Sequence, residues 1–243
     1  MYSRILNLKI VLVVCIGLMG GCSDSNDNSD QTTNQFSYSV LTSVSGSGLD
    51  LLEELNSSVL PKLKKGGAQE YAIWSQASES NEVFEEIAED KLVLMLRWKR
   101  VKTELLSNEL EAMTGVSEVM TSLWEVSLRA GDGPLETGPG FYIHRFEKYL
   151  SADVDEVLSL SEQAWETWEP FWGGKVVGVW RDQDEVDESN GITRLMRITW
   201  YRDLEHWQET REAWLEPESF ELLIERAALQ LDGESWSADI QPN

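Results

Sequence analysis

Histidine and cysteine are nearly absent from this chain, which holds two of each in 243 residues. Zinc and iron centres need several convergent His, Cys or carboxylate ligands. His144 and His206 read as lying on different elements with no cysteine beside either, so no metal site is expected. Basic residues are also scarce, 20 Lys and Arg against 43 Asp and Glu, for a net charge of −23. That field repels a phosphate backbone, and no stretch gathers enough cations to reverse it, so nucleic acid is excluded as a partner. The chain also lacks a Gly-x-Ser-x-Gly elbow, a P-loop and a dinucleotide fingerprint, and no cofactor is implied. Its longest apolar run, Ile10 to Met19, is about half of the roughly 20 residues a membrane-spanning helix needs. What remains is a 42% apolar fraction with eleven tryptophans, enough for a folded core and against global disorder.

The first 22 residues differ from the rest. Arg4 and Lys9 precede the apolar run, and Gly20-Gly21-Cys22 closes it with small residues, the pattern of a secretory signal. Leu18-Met19-Gly20-Gly21-Cys22 resembles a bacterial lipobox, whose cysteine is acylated and becomes the first residue of the mature chain. Cys15 would be discarded with residues 1–21, leaving Cys22 with no disulfide partner in an oxidising compartment. Lipidation at Cys22 is therefore expected. Ser23 in place of Asp resembles lipoproteins of the outer membrane, so the address is its periplasmic face. Residues 22–35 hold no apolar side chain after the cysteine and read as a flexible tether.

Two halves of the remainder repeat. Gly66-Gly67 followed by Trp74 lines up with Gly173-Gly174 followed by Trp180; Trp98 matches Trp200 and Trp124 matches Trp236. Each copy, 36–130 and 141–243, reads as strand, helix, two strands, helix, strand, joined by a Gly/Pro linker at 131–140. The paired strands are expected at 68–76 and 91–99, and at 175–182 and 192–201. The long helix of the second copy is expected to start at Ser151 or Asp153 and to stop at Pro170. An extra helix from Pro217 to Leu229 would turn Phe220, Leu223, Ile224 and Ala227 to one side. The fold class is thus α+β, two tandem ferredoxin-like units.

With Phe141-Tyr142-Ile143-His144-Arg145, Val176 to Trp180 and Met196 to Leu204 as its strands, the second copy resembles the dimeric α/β-barrel superfamily, and within it the NIPSNAP branch. The resemblance implies that the two open sheets pack as an α/β barrel, here within one chain. It also implies a choice of function, because the superfamily includes cofactor-independent monooxygenases while the NIPSNAP branch has no secure shared activity. Haem-degrading relatives place His, Asn and Trp together, and no Asn falls on the interior strands of the second copy.

Strand alternation divides the candidate residues. Leu92, Leu94, Leu96 and Trp98 share one face, and by the repeat alignment Met196, Ile198 and Trp200 share its counterpart. These apolar faces are expected under the helices. The mixed faces, with Arg97 in one copy and Arg197, Thr199 and Tyr201 in the other, are then expected to line the barrel with Tyr142, His144 and Phe146. Such a cavity would take a small ligand. His144 is the one candidate general base, and is read first as a polar interior residue; His206 is expected on a solvated helix face.

The leading functional expectation is a membrane-anchored module without enzymatic activity that binds a small ligand or a periplasmic protein. The alternative is a monooxygenase-like enzyme acting on an aromatic or apolar substrate in the barrel, with His144 or Arg197 beside it. A third reading makes the first copy a scaffold and confines function to residues 138–240.

Overall fold

The computed structural model describes residues 35–78, 85–130, 135, 138–183, 191–212 and 215–241, all within one compact unit. The expected signal segment, Cys22, the expected tether up to residue 34, part of the expected 131–140 linker and the acidic stretch 184–190 lie outside the described residues.

Both copies take the expected order. The first runs β1 (Gln35–Ser43), a helical run, β2 (Ala68–Gln76), β4 (Lys91–Trp98), α3 (Thr103–Glu111) and β5 (Val116–Leu128). In its helical run, α1 (Leu52–Glu54) and α2 (Leu60–Lys65) flank a π-helical turn at Leu55–Val59. The second copy runs β6 (Phe141–Leu150), α4 (Val154–Trp172), β7 (Lys175–Asp182), β8 (Ile192–Tyr201), α5 (Leu204–Glu209), α6 (Pro217–Ala228) and β9 (Gln230–Ile240). A two-residue strand, β3 (Glu85–Glu86), pairs parallel with β9.

Each copy orders its strands second, third, first, fourth, all antiparallel. The copies join twice, β5 to β7 and β2 to β9, which closes eight strands into a barrel. The seams are short, Trp124–Leu128 on β5 and Trp74–Gln76 on β2, so among the described residues β5 and β9 run on past them with one edge open. The barrel interior is aromatic: Phe36, Tyr38, Trp74, Trp124, Tyr142, Phe146 and Trp180 are all buried there. Each such ring removes a large apolar area from water, on the order of 2 to 3 kcal/mol per side chain.

The helices cover the outside. Leu92, Leu94, Leu96 and Trp98 pack under the first copy's helices with Leu51, Leu55, Leu63, Leu106 and Leu110, as the alternation predicts. In the second copy the expectation is reversed. Met196, Ile198 and Trp200 point into the barrel, while Leu195 and Tyr201 pack beneath the helices. Matching the copies at Trp98 and Trp200 is one residue out, and a slip of one turns every side chain to the other face.

Two helix ends also differ. Pro170 lies inside α4, which continues to Trp172 and ends on Gly173 at φ +75°, with the Gly173 amide donating to the Glu169 carbonyl at 2.8 Å. A proline in the last turn costs little, since glycine in the left-handed conformation is what ends the helix. On α6 the buried side chains are Ser219 and Arg226, with Leu222 and Leu223 partly buried; Phe220, Ile224 and Ala227 are exposed. Pro217 occupies the first turn, and the Glu216 carboxylate caps it by accepting from the Ser219 amide at 2.9 Å.

Candidate functional site

Tyr142, His144 and Phe146 project into the barrel as expected, but there they complete a packed core. His144 is fully buried, and its Nδ1 shares a 2.8 Å hydrogen bond with the Tyr38 hydroxyl. The Trp74 ring meets the imidazole edge to face, with centroids 4.6 Å apart. Nε2 has no hydrogen-bond partner. Burial lowers the His144 pKa from 6.5 to about 3, so the ring stays neutral at physiological pH. Burial likewise pushes the Tyr38 pKa upward. Arg97 shares the barrel-facing side of β4 with Val93 and Met95 and lies close enough to Tyr71 to act on its ionisation.

Arg197, Thr199 and Tyr201 are brought together elsewhere. They stand on the outer face of β8 and line a crevice of about 190 Å³ between the second copy's sheet and its helices α4 and α6. Trp165 and Trp168 from α4 and Leu223 from α6 form its apolar walls. Its polar floor is a buried network around Glu147 of β6. Arg197 donates to Glu147 Oε1 at 3.0 Å. Arg226 reaches down from α6 and grips both Glu147 oxygens, while its Nε donates to Ser161 Oγ on α4 at 2.8 Å. The Ser161 hydroxyl in turn donates to the Val157 carbonyl at 2.6 Å. Relative exposures of 4, 7 and 5% for Glu147, Arg197 and Arg226 mark all three as interior charges.

Burial alone would raise the Glu147 pKa, but Arg197 and Arg226 outweigh it and hold the carboxyl well below the usual range. Burial lowers the Arg197 pKa to about 10 against the pull of Glu147, which leaves the guanidinium charged at neutral pH. Burial and the Glu147 charge push Tyr149 beneath them up to about 12. Two buried polar atoms of the crevice, Arg197 Nε and Thr199 Oγ1, have no hydrogen-bond partner in the protein. Buried polar groups are ordinarily satisfied, so these two call for an explanation.

The site residues therefore divide between two places. Tyr142, His144 and Arg97 belong to the barrel; Arg197, Thr199 and Tyr201 belong to the crevice, which corrects their expected place between the two sheets. Arg145, Glu147, Ser161 and Arg226 escaped sequence reasoning. Arg145 and Glu147 alternate opposite His144 along β6, which puts charges on a face that must pack under helices. That conflict was a readable signal. His206 is buried and not solvated: its Nε2 bonds the Trp172 carbonyl at 2.6 Å and its Nδ1 accepts from the Arg202 amide at 3.0 Å. It ties α5 to the end of α4. Among the described residues no three His, Cys, Asp or Glu side chains converge to hold a metal.

No protein-family model matches the chain, and no curated protein matches it significantly in sequence. Solved structures do match its fold. An anthrone oxidase-like protein superposes with a TM-score of 0.55 at 11% identity, over 88% of this chain and 93% of its own. A protein carrying the name monooxygenase, from Lactobacillus acidophilus NCFM, gives 0.54 at 8% identity over 86 and 93%. A mutant chlorite dismutase from Candidatus Nitrospira defluvii gives 0.52 at 9% identity over 87 and 92%. These neighbours overturn the expectation of a module without enzymatic activity as the leading reading, since the names attached to this fold over nearly its whole length are those of enzymes. At such identities the likeness is one of fold, and the fold is that of the ferredoxin-like dimeric α/β barrel, closed here within a single chain.

Proposed function

We propose that the chain is an oxygenase-type enzyme acting on a small aromatic or apolar substrate in the crevice of its second copy. The observation that carries this reading is the pairing of an aromatic-walled cavity with two unpartnered buried polar groups, Arg197 Nε and Thr199 Oγ1. An unmade buried hydrogen bond costs about 1 to 3 kcal/mol, a cost that a bound ligand relieves. The enzyme names attached to the fold support the class of activity, and the crevice replaces the barrel as its seat.

In cofactor-independent oxygenation the substrate supplies the electrons. It ionises to a phenolate or enolate, the electron-rich carbon reduces dioxygen, and a CH2 group becomes a carbonyl while the second oxygen atom leaves as water. The charged Arg197 is placed to stabilise the developing oxyanion, with Trp165, Trp168 and Tyr201 lining the space around it. His144 has no part in this scheme, being sealed in the barrel. The test is dioxygen uptake by the purified folded chain across phenols and cyclic ketones that ionise readily. Uptake in the wild type that falls at least tenfold in Arg197→Gln, with His144→Gln still active, supports the reading. No uptake with any substrate sinks it.

Two further proposals concern branch and address. The strand pattern from Phe141 to Arg145 and from Met196 to Leu204 supports placement near the NIPSNAP branch. The lipobox-like residues support export and lipid attachment at Cys22, on the periplasmic face of the outer membrane. Loss of palmitate incorporation in Cys22→Ser is the expected outcome, and unchanged labelling would refute it.

A further inference from the structure

We infer that the crevice selects a small carboxylate, most simply a single-ring aromatic acid, whose charged end meets Arg197. The inference rests on the crevice being the site proposed above, and it names the ligand class. Four arginines, Arg145, Arg197, Arg211 and Arg226, line the cavity with a single carboxylate, Glu147. In a chain with 43 acids and 20 bases, this local excess of cations is opposite in sign to the rest of the molecule.

Glu147 does not exhaust the donors. Its two oxygens are taken up by Arg226 and by one amino group of Arg197, and Arg197 Nε is left over. Burial does most to weaken the protonation of Arg197, Glu147 opposes it, and the like charges of Arg226 and Arg145 weaken it further. An added anion would meet the unpartnered Arg197 Nε and offset the like charges beside it. A guanidinium presents its donors as a planar fork, which suits a carboxylate better than a spherical ion. The Thr199 hydroxyl offers a further donor beside it.

The remainder of the cavity sets the rest of the ligand. Trp165, Trp168, Val176 and Leu223 provide an apolar surface for a ring. A volume of about 190 Å³ is below the roughly 300 to 1,000 Å³ of drug-sized sites, which restricts the ligand to about one ring. Arg145 and Arg211 also border a wider depression of about 610 Å³, where Glu85 and Glu234 balance their charge beside Trp207.

The test is calorimetric titration of the full folded chain with benzoate, phenylacetate and salicylate, each against its neutral amide. At least one acid should bind at least tenfold more tightly than its amide and weaken with added salt. Arg197→Gln, shown to be folded by near-ultraviolet circular dichroism, should cost at least tenfold in affinity. Should that variant fail to fold, Arg211→Gln at the exposed rim replaces it, with a severalfold loss expected. Amides binding as well as acids, no acid binding at all, or a folded arginine variant with unchanged affinity would each overturn the inference. Dioxygen uptake is measured separately. Acid binding without uptake removes the enzyme reading and leaves the anion site, whereas uptake of neutral substrates without acid binding does the reverse.

Discussion

Replacing His144 with glutamine should remove a specific part of the protein's acid sensitivity. In the fold the imidazole is sealed among Tyr38, Trp74 and Tyr142 with a pKa of about 3. In the unfolded chain it returns to about 6.5. Between those values the unfolded state binds a proton that the folded state refuses, so stability falls as pH falls. The contribution of neutral His144 is fully present above about pH 6.5 and is lost progressively below it. From pH 8 to pH 5 the loss is about 2 kcal/mol. Proton uptake by the unfolded chain sets that figure, so it depends little on how low the folded value lies. Urea unfolding followed by tryptophan fluorescence at both pH values measures it. The glutamine amide keeps a partner for the Tyr38 hydroxyl, and every other titrating group is common to both proteins and cancels. Wild type should therefore lose about 2 kcal/mol more than His144→Gln, or about 4 to 8 °C in midpoint for a chain of this size. Parallel pH profiles for the two proteins would refute a neutral, buried His144.

Three other substitutions probe the crevice and the turn beside it. Glu147→Ala strands Arg197 and Arg226 as buried cations and should cost about 3 to 5 kcal/mol in chemical denaturation; a cost below 1 kcal/mol would mean that water reaches the layer. Thr199→Val removes a hydroxyl with no protein partner, so the unliganded protein should gain up to about 1 kcal/mol while losing affinity for benzoate, and a fall in thermal midpoint would contradict this. Gly140 has φ +156°, and a Cβ there would overlap the Trp200 indole nitrogen and the Tyr201 carbonyl. Gly140→Ala should cost about 1 to 3 kcal/mol, read from the same denaturation curves.

The order of elements and their limits were legible because local signals agreed. Gly67 at φ +105° and Gly173 at φ +75° turn the chain where the glycine pairs predicted reversals, and β2, β7 and β8 take the expected ranges. The facing of β8 was not legible from the tryptophans. Two strands with strict alternation can be matched in two phases, and large aromatic residues fit either layer. Polarity also misled. The mixed face Arg197-Thr199-Tyr201 was expected in the barrel and the apolar face under the helices, yet the interior of this barrel is the drier place. A helix-covered layer admits charges when a neighbouring helix brings the counter-charge, and α6 brings Arg226 to Glu147. That helix has no counterpart in the first copy, so the repeat alignment could not foresee it.

The duplication supplies its own control. Matched from their paired ends, Gln35 with Trp98 and Phe141 with Tyr201, the copies place Leu94 and Leu96 where Arg197 and Thr199 stand. The first copy fills its helix-to-sheet layer mostly with leucine; the second interrupts the same layer with the buried charges Glu147, Arg197 and Arg226 and a cavity. Buried ion pairs are seldom the more stable choice over well-packed apolar residues, and the first copy demonstrates that this architecture accepts an apolar layer. The polar layer of the second copy therefore calls for a reason other than stability, and ligand binding at the proposed crevice would supply one.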